Sequence, residues 1–535
     1  MKQKLLLLAL AALTSVGAGA QSIYDATTIA QKELSGSARF VGMGGAMGAL
    51  GGDITTMGTN PAGIGIYRSN DVSVTTGYSL TGTESSYDHQ SISDEKARWD
   101  INNAGIVLST KIGNYTSLRY LNFGFNYKRS KSFYRNMTMQ GLMGAVDGAY
   151  ISQVRTMADL ATASAQYVYQ AGNGEILNLG NRDIFRDPDV GWLGALGWNG
   201  ALLDEDIETE KYNLYTPIVP GEVDGFFRSR ERGGIDQFDF NLAFNVNDRF
   251  YFGVTLGVYD VDYHKYSLYD EDYGNAEGYS LESFKRIRGT GYDVKLGTII
   301  RPFEESPLRL GLAVHTPTFY KLTFSNGALL NSDYLNADGN LTTATVDTYQ
   351  ELGGRDMEMD FELRTPWVFN ASLGYTVGNY LALGAEYEYE DYSTMNFKYF
   401  DGYDMQLENE EADYHLKGVS TLRVGAELKP IPEFALRAGY NYSTAAYKNT
   451  AYKYMPTNTI ATDTDFNNTK EMHTFTLGLG YRFSSFYMDL AYKLDTYKSD
   501  FYAFSNEFGN TVVTPRATKV DNTRSNVMLT LGMRF

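Results

Sequence analysis

Three glutamates, Glu386, Glu388 and Glu390, stand at alternate positions of one short segment. On a strand this spacing places all three carboxylates on one face. There they bind a cation, repel anionic solutes or pair with cations of a facing segment. A second acidic group, LENEEADYH at 407–415, reads as a solvated loop, with calcium binding near a charged membrane surface as its functional alternative. Nucleophilic and metal chemistry find little support. The chain has 0 cysteines, which excludes thiol nucleophiles, thiolate metal sites and disulfides. The 5 histidines, His89, His264, His315, His415 and His473, are scattered without metal-ligand spacing. No G-x-S-x-G, H-E-x-x-H or P-loop sequence is present. No catalytic residue, metal site or cofactor is predicted, and the chain does not read as an enzyme.

A different chemistry, capture of apolar molecules, has better candidates. Tyr150, Val154, Met157, Ala161, Ala165 and Val168 recur at three- and four-residue spacing and predict an amphipathic helix. DVGWLGALGWNGALL follows at 189–203, with Trp192, Leu193, Leu196, Trp198, Leu202 and Leu203. An exposed apolar cluster marks an interaction site. Val154, Met157, Trp192, Leu193, Leu196 and Trp198 are therefore candidates for ligand capture. The competing reading is that the segment packs on the helix and caps whatever lies beneath.

The elements that position these residues are strands. In TFTLGLGYRF (474–483), Phe475, Leu477, Leu479, Tyr481 and Phe483 alternate with Thr474, Thr476, Gly478, Gly480 and Arg482. NVMLTLGMRF at 526–535 repeats the design, as does Leu308 to His315. One apolar face and one small or charged face at period two mark a strand between unlike environments. About fourteen such segments are predicted, near 71–80, 104–112, 118–128, 237–247, 250–261, 290–301, 308–316, 365–376, 380–391, 420–429, 434–444, 472–483, 486–495 and 525–535. Short links alternate strictly with long polar ones, the longest being an insertion at 129–236 that holds the predicted helix. Even strand number with short periplasmic turns and long outer loops predicts an all-β, transmembrane antiparallel β-barrel over 71–535. Its lumen then carries Lys111, Asp239, Asp293, Lys295, Arg309, Glu386, Glu388, Arg423, Glu427, Arg437, Arg482, Asp489 and Lys493. Such mixed charge reads either as a passage or as a socket for a plug.

Composition agrees. The chain has 42 Tyr and 54 Gly against 12 Pro, and tyrosine suits the level where hydrocarbon meets water. A net charge of -18 argues against a phosphate-binding surface, and so against a nucleic-acid partner. Residues 1–20 read as a secretory signal peptide, with Lys2 and Lys4, the apolar run Leu5 to Leu13, and Ala18-Gly19-Ala20 at the cleavage site. The mature chain is expected to begin at Gln21. Residues 21–70 lack lipid-facing alternation and are glycine-rich, with a short helix predicted from Asp25 to Leu34. Asn60 followed by Pro61 suits a helix cap with proline at the first helical position. A compact element with no sheet of its own is expected inside the lumen, as a hatch.

SARFVGMGGAMGALGGDITTMGTNPAGIGIYRSNDVSV (37–74) resembles the N-terminal hatch of the FadL/TodX family of outer-membrane transporters, in which a glycine-rich segment leads to Asn-Pro-Ala-Gly before the first strand. The hatch motif here is Asn60, Pro61, Ala62 and Gly63, and LRTPWVFNASLGY (363–375) resembles a family strand. The resemblance implies passive uptake of hydrophobic compounds, such as long-chain fatty acids or aromatic hydrocarbons. Ligand is then captured on outer loops, held at an interior site and released by hatch movement through a wall gap near a kinked strand. It implies as partners a hydrophobic small molecule, outer-membrane lipid and lipopolysaccharide, and the barrel-assembly machinery during insertion. The location implied is the outer membrane of a Gram-negative cell. A docking or assembly subunit of a surface or secretion machinery is the alternative.

Overall fold

Alternating apolar and polar residues build fourteen antiparallel strands that close on themselves. The computed structural model describes residues 21–172, 174, 177–206, 213–508 and 511–535. The predicted signal peptide, residues 1–20, lies outside the described residues. The wall consists of β1 (Asp71–Tyr87), β2 (Gln90–Lys111), β3 (Leu118–Ser132, resumed at Arg135–Leu142), β4 (Asp224–Val246), β5 (Phe250–Gly274), β6 (Glu277–Ile300) and β7 (Arg309–His315, resumed at Phe319–Leu335). It continues through β8 (Met357–Arg364, then Val368–Val377), β9 (Leu381–Asp391, then Asn396–Tyr399), β10 (Gly418–Ile431), β11 (Phe434–Ser443), β12 (Phe466–Phe483), β13 (Phe486–Tyr502) and β14 (Thr518–Arg534). Closure comes from β1 against β14, in register from Asp71↔Arg534 to Ser86↔Lys519. Where each strand of the ring pairs on both sides, backbone donors and acceptors are satisfied without water. No helix among the described residues is long and apolar enough to cross a membrane.

Exposed Leu310, Leu312 and Val314 alternate with inward-facing Gly311, Ala313 and His315, as expected of a strand between lipid and lumen. The strands are longer than the sequence pattern indicated. β4 begins at Asp224 and β5 runs to Gly274, so much of what read as loop is wall rising beyond the apolar band. The reason is chemical. Above the hydrocarbon both faces of a strand are polar or covered, and the alternation that betrays a strand disappears. The acidic run 407–415, expected as a loop, belongs to a helix, Gln406–His415, with Glu408, Ala412 and His415 buried.

One seam of the wall is discontinuous. β2 pairs with β3 only from Asn103↔Lys128 to Lys111↔Tyr120, and its outer half pairs with β1 alone. The resumed part of β3, Arg135–Leu142, pairs with β4 alone. It lies on the lumen side of β1, where the Thr83 hydroxyl donates to the Asn136 carbonyl at 2.7 Å and the Tyr87 hydroxyl to the Leu142 carbonyl at 3.0 Å. Register shifts at Arg129/Lys131 on β3 and at Thr75/Thr76 between β1 and β2 flank this inward step. Bulges bend strands and increase their twist, which is what lets β3 leave the wall.

Candidate functional site: the hatch, the lumen and the cap

Residues 22–66 lie inside the lumen, all but the first helix filling its lower part. The segment holds α1 (Ile23–Ala30), α2 (Ala38–Gly42) and two 3-10 turns, Ile54–Gly58 and Pro61–Ile66. Each begins at a polar cap: Ser22 and Asp25 form a capping box, and Ser37, Asp53 and Asn60 accept backbone N–H groups. The predicted helix thus starts earlier and stops at Ala30. Asn60 is fully used. Its Oδ1 accepts from the Ala62 amide at 3.2 Å, while its Nδ2 donates to the carbonyls of Gly48 at 2.9 Å and Thr298 of β6 at 3.2 Å. One side chain therefore caps a turn, braces the hatch and ties it to the wall. Pro61 needs no donor at that position, Ala62 is buried, and Gly63 donates to the Asn60 carbonyl at 2.9 Å.

The hatch lies directly on the wall because the wall is glycine there. A Cβ at Gly384 of β9 would meet the Ala46 carbonyl oxygen, one at Gly425 of β10 the Met43 carbonyl oxygen, and one at Gly297 of β6 the Asn60 amide. The small residues read from the lumen face of the strands are thus a footprint of the hatch.

Charge completes the seat. Glu386 accepts from the Gly48 N–H at 3.0 Å and from Arg423 at 2.8 Å, Glu388 pairs with Arg423 at 2.7 Å, and Glu390 with Lys32 of the hatch at 3.1 Å. Arg39 of α2 reaches Glu427 at 3.0 Å, and Arg437 bridges Glu427 at 2.7 Å to Asp489 at 2.6 Å. The alternate glutamates therefore pair with hatch and wall. Asp239, Asp293, Lys295, Asp489 and Lys493 are buried as expected, whereas Lys111 and Arg482 are exposed. Both sit at the short-turn end of a strand, at the rim of the barrel where side chains meet water. In the hatch, burial works to raise the Glu33 carboxyl, but Arg524, Lys493 and Lys131 outweigh it and hold Glu33 below its ordinary value.

Above the hatch lies a cavity of about 330 Å³. Ile29, Phe133, Met137, Ile235 and Phe501 line it together with Lys131, Arg135, Glu388, Glu390 and Arg423. Over it sits a packed cap. The helices α3 (Gln153–Ala171) and α4 (Trp192–Asn199) meet so closely that a Cβ at Gly194 would stand 2.9 Å from the Ala161 nitrogen. Val154, Met157, Trp192, Leu193 and Leu196 are buried in one core, and Trp198 packs against it, edge-on to Tyr215 at 5.4 Å. The capture candidates are brought together, but as the inside of the cap and not as an open groove. Tyr150 precedes the helix and is exposed.

Sequence reasoning missed how the cap is anchored. α1 carries Ile23, Tyr24, Ala26 and Ile29 into the cap core. Tyr24 stacks on Tyr447 at 5.0 Å and donates to Asn468 at 2.8 Å. Asp25 pairs with Lys285 of β6 at 2.6 Å, and Lys285 also pairs with Asp463 at 2.8 Å. Lys265 of β5 joins Asp463 at 3.1 Å and Asp465 at 2.7 Å. No local pattern announces this network, since the partners of its ion pairs lie 178 to 260 residues apart.

No protein-family model and no curated protein matches the chain. Among solved structures, the crystal structure of a Pseudomonas aeruginosa FadL homologue is similar, at 13% identity and TM-score 0.50, over 94% of this chain and 99% of that one. The chain has the FadL-type barrel fold. The P. putida toluene transporter TodX is similar at 10% identity and TM-score 0.49, again over 94% of this chain and 99% of that one. The FadL-type fold is the one implied by the hatch motif and the strand count.

Proposed function

We propose that the protein mediates passive uptake of hydrophobic compounds across an outer membrane. Residues 1–20 then form the cleaved export signal, 21–70 the hatch and 71–535 the barrel, with Asn60, Pro61, Ala62 and Gly63 as the hatch motif. The observation that carries the reading is the inward step of β3, which leaves the outer half of β2 unpaired on that side, next to the cavity that Phe133 and Met137 line. A molecule held above the hatch is thereby adjacent to a break in the wall and needs no route through the periplasmic end. No energy source is required, because moving an apolar chain from water into lipid gains ~0.8 kcal/mol per methylene.

The lining narrows the ligand class. A pure hydrocarbon filling this cavity would leave Lys131 and Arg135 desolvated without gain. An amphiphile such as a long-chain fatty acid places its tail on Phe133, Met137 and Phe501 and its head among the cations. The buried Val154, Met157, Trp192, Leu193, Leu196 and Trp198 serve this function by closing the outer mouth. Nothing in this arrangement favours the docking alternative, and no catalytic role is proposed. The test is uptake by cells lacking the gene, supplied with a panel of radiolabelled fatty acids and aromatic hydrocarbons. Slower uptake of fatty acids is expected, restored by the intact gene. Unchanged uptake of every compound refutes the reading.

A further inference from the structure

On the outside of the barrel, one row of like charge stands without an ion pair among the described residues. The outward positions of β4 above the apolar band are Phe226, Arg228, Arg230 and Arg232, and the three arginines are exposed. Alternation along a strand sets successive outward side chains about 7 Å apart, so the guanidinium groups repel one another. Several cations elsewhere on this outer wall are matched: Arg286 with Asp262 at 2.9 Å, Arg288 with Glu358 at 3.1 Å, Lys321 with Glu362 at 3.3 Å and Arg129 with Asp236 at 3.2 Å. None of the three has a carboxylate at ion-pair distance among the described residues. Arg228 lies over the Phe226 ring, 5.3 Å from its centroid, and Asp270 stands across from Phe226 on β5. Glu282 is engaged by the Tyr266 hydroxyl at 3.0 Å.

The height of the row is informative. Phe238, Phe240 and Leu242 face outward lower on the same strand. From Phe238 to Arg232, a strand tilted by ~45° climbs roughly 14 Å. The row therefore stands beyond the hydrocarbon, in the layer of head groups and sugars. Next to it Tyr266 and Phe284 pack at 5.3 Å with their planes 50° apart, and the Phe284 ring is exposed. Arginine is the side chain best suited to grip phosphate, through two parallel N–H donors.

We infer that Arg228, Arg230 and Arg232 bind the phosphorylated sugar head group of lipopolysaccharide in the outer leaflet, with Tyr266 and Phe284 supporting a sugar ring. This rests on the outer-membrane reading, yet the two fail differently. If the membrane reading is wrong, the wild-type protein will not fractionate with outer membranes. If only the site is wrong, the protein fractionates normally and the arginines make no difference.

The experiment compares wild type with the R228Q/R230Q/R232Q triple variant, both extracted in mild detergent. The barrel of each is checked by its heat-dependent migration on gels, which outward substitutions should leave intact. Lipopolysaccharide retained per protein is quantified, and the delipidated proteins are then titrated with lipopolysaccharide, dephosphorylated lipopolysaccharide and inorganic phosphate. The expected result is at least fivefold less lipopolysaccharide on the triple variant. A rise in unfolding temperature is expected only for wild type with the phosphorylated glycolipid. Equal retention overturns the inference, as does an equal response to the dephosphorylated form. A full response to phosphate alone shows a simple anion site and overturns the lipid assignment.

Discussion

Asn60 shows how one residue's chemistry is spent in full: an amide with one acceptor and two donors meets a turn, the hatch and the wall. Glu408 is the opposite case. It is buried in the helix Gln406–His415 with no ion pair among the described residues, and burial, helped by Glu411, pushes its carboxyl up to about 7. A carboxyl whose value is raised on folding is harmless while protonated. Below its ordinary value of 4.5 it is neutral in both the open and the packed helix. As pH climbs from there to about 7, the open form ionises first and the helix loses local stability, by up to ~3 kcal/mol once the buried charge must form. Hydrogen exchange of this helix, corrected for intrinsic rates, should show at least tenfold more frequent opening at pH 8 than at pH 5. In E408Q the difference should vanish. An equal pH effect in both proteins would refute the assignment.

Among elements, the decisive fit is hatch against wall. Strands β6, β9 and β10 present glycine where the hatch backbone touches them, and a side chain at those points has nowhere to go. Gly425→Val points two methyls at the Met43 carbonyl while leaving the lipid face of β10 untouched. The variant should keep its heat-dependent barrel migration yet exchange amide hydrogens of residues 38–50 at least tenfold faster. Unaltered exchange would mean the hatch is not seated by this contact. The strand faces were legible because Gly478, Gly480 and Gly297 alternate with apolar residues, but which object the glycines accommodate was not. The break in β3 at Phe133 and Tyr134 had no sequence signal, since neither residue is unusual in a strand. The apolar segment around Trp192 was legible as a cluster, while its burial depended on α3 and on the chain near Thr459, whose carbonyl accepts the Trp192 backbone N–H at 2.9 Å.

For the molecule as a whole, the hatch is both stopper and anchor, because the same segment blocks the lower lumen and sends α1 into the cap. Removing residues 21–66 should therefore turn a closed barrel into a leaky one, the interior being polar. In liposomes the deletion variant should admit an uncharged disaccharide several times faster than the intact protein, with barrel migration as the control for folding. Equal rates would show that the cap alone seals the lumen. The net charge of -18 pointed to acidic loops but gave no sign of the evenly mixed lumen or of the arginine row on β4, because a sum has no position.

The sequence by itself determined the barrel, its strand number and the hatch, because lipid on one side and a crowded lumen on the other impose a period-two pattern that needs no partner to be read. Only the tertiary structure decided that the alternate glutamates seat the hatch, that the tryptophan segment closes the mouth and that β3 steps inward. Each of these depends on which distant side chain arrives opposite, as Arg39 does for Glu427, and local spacing does not encode that meeting.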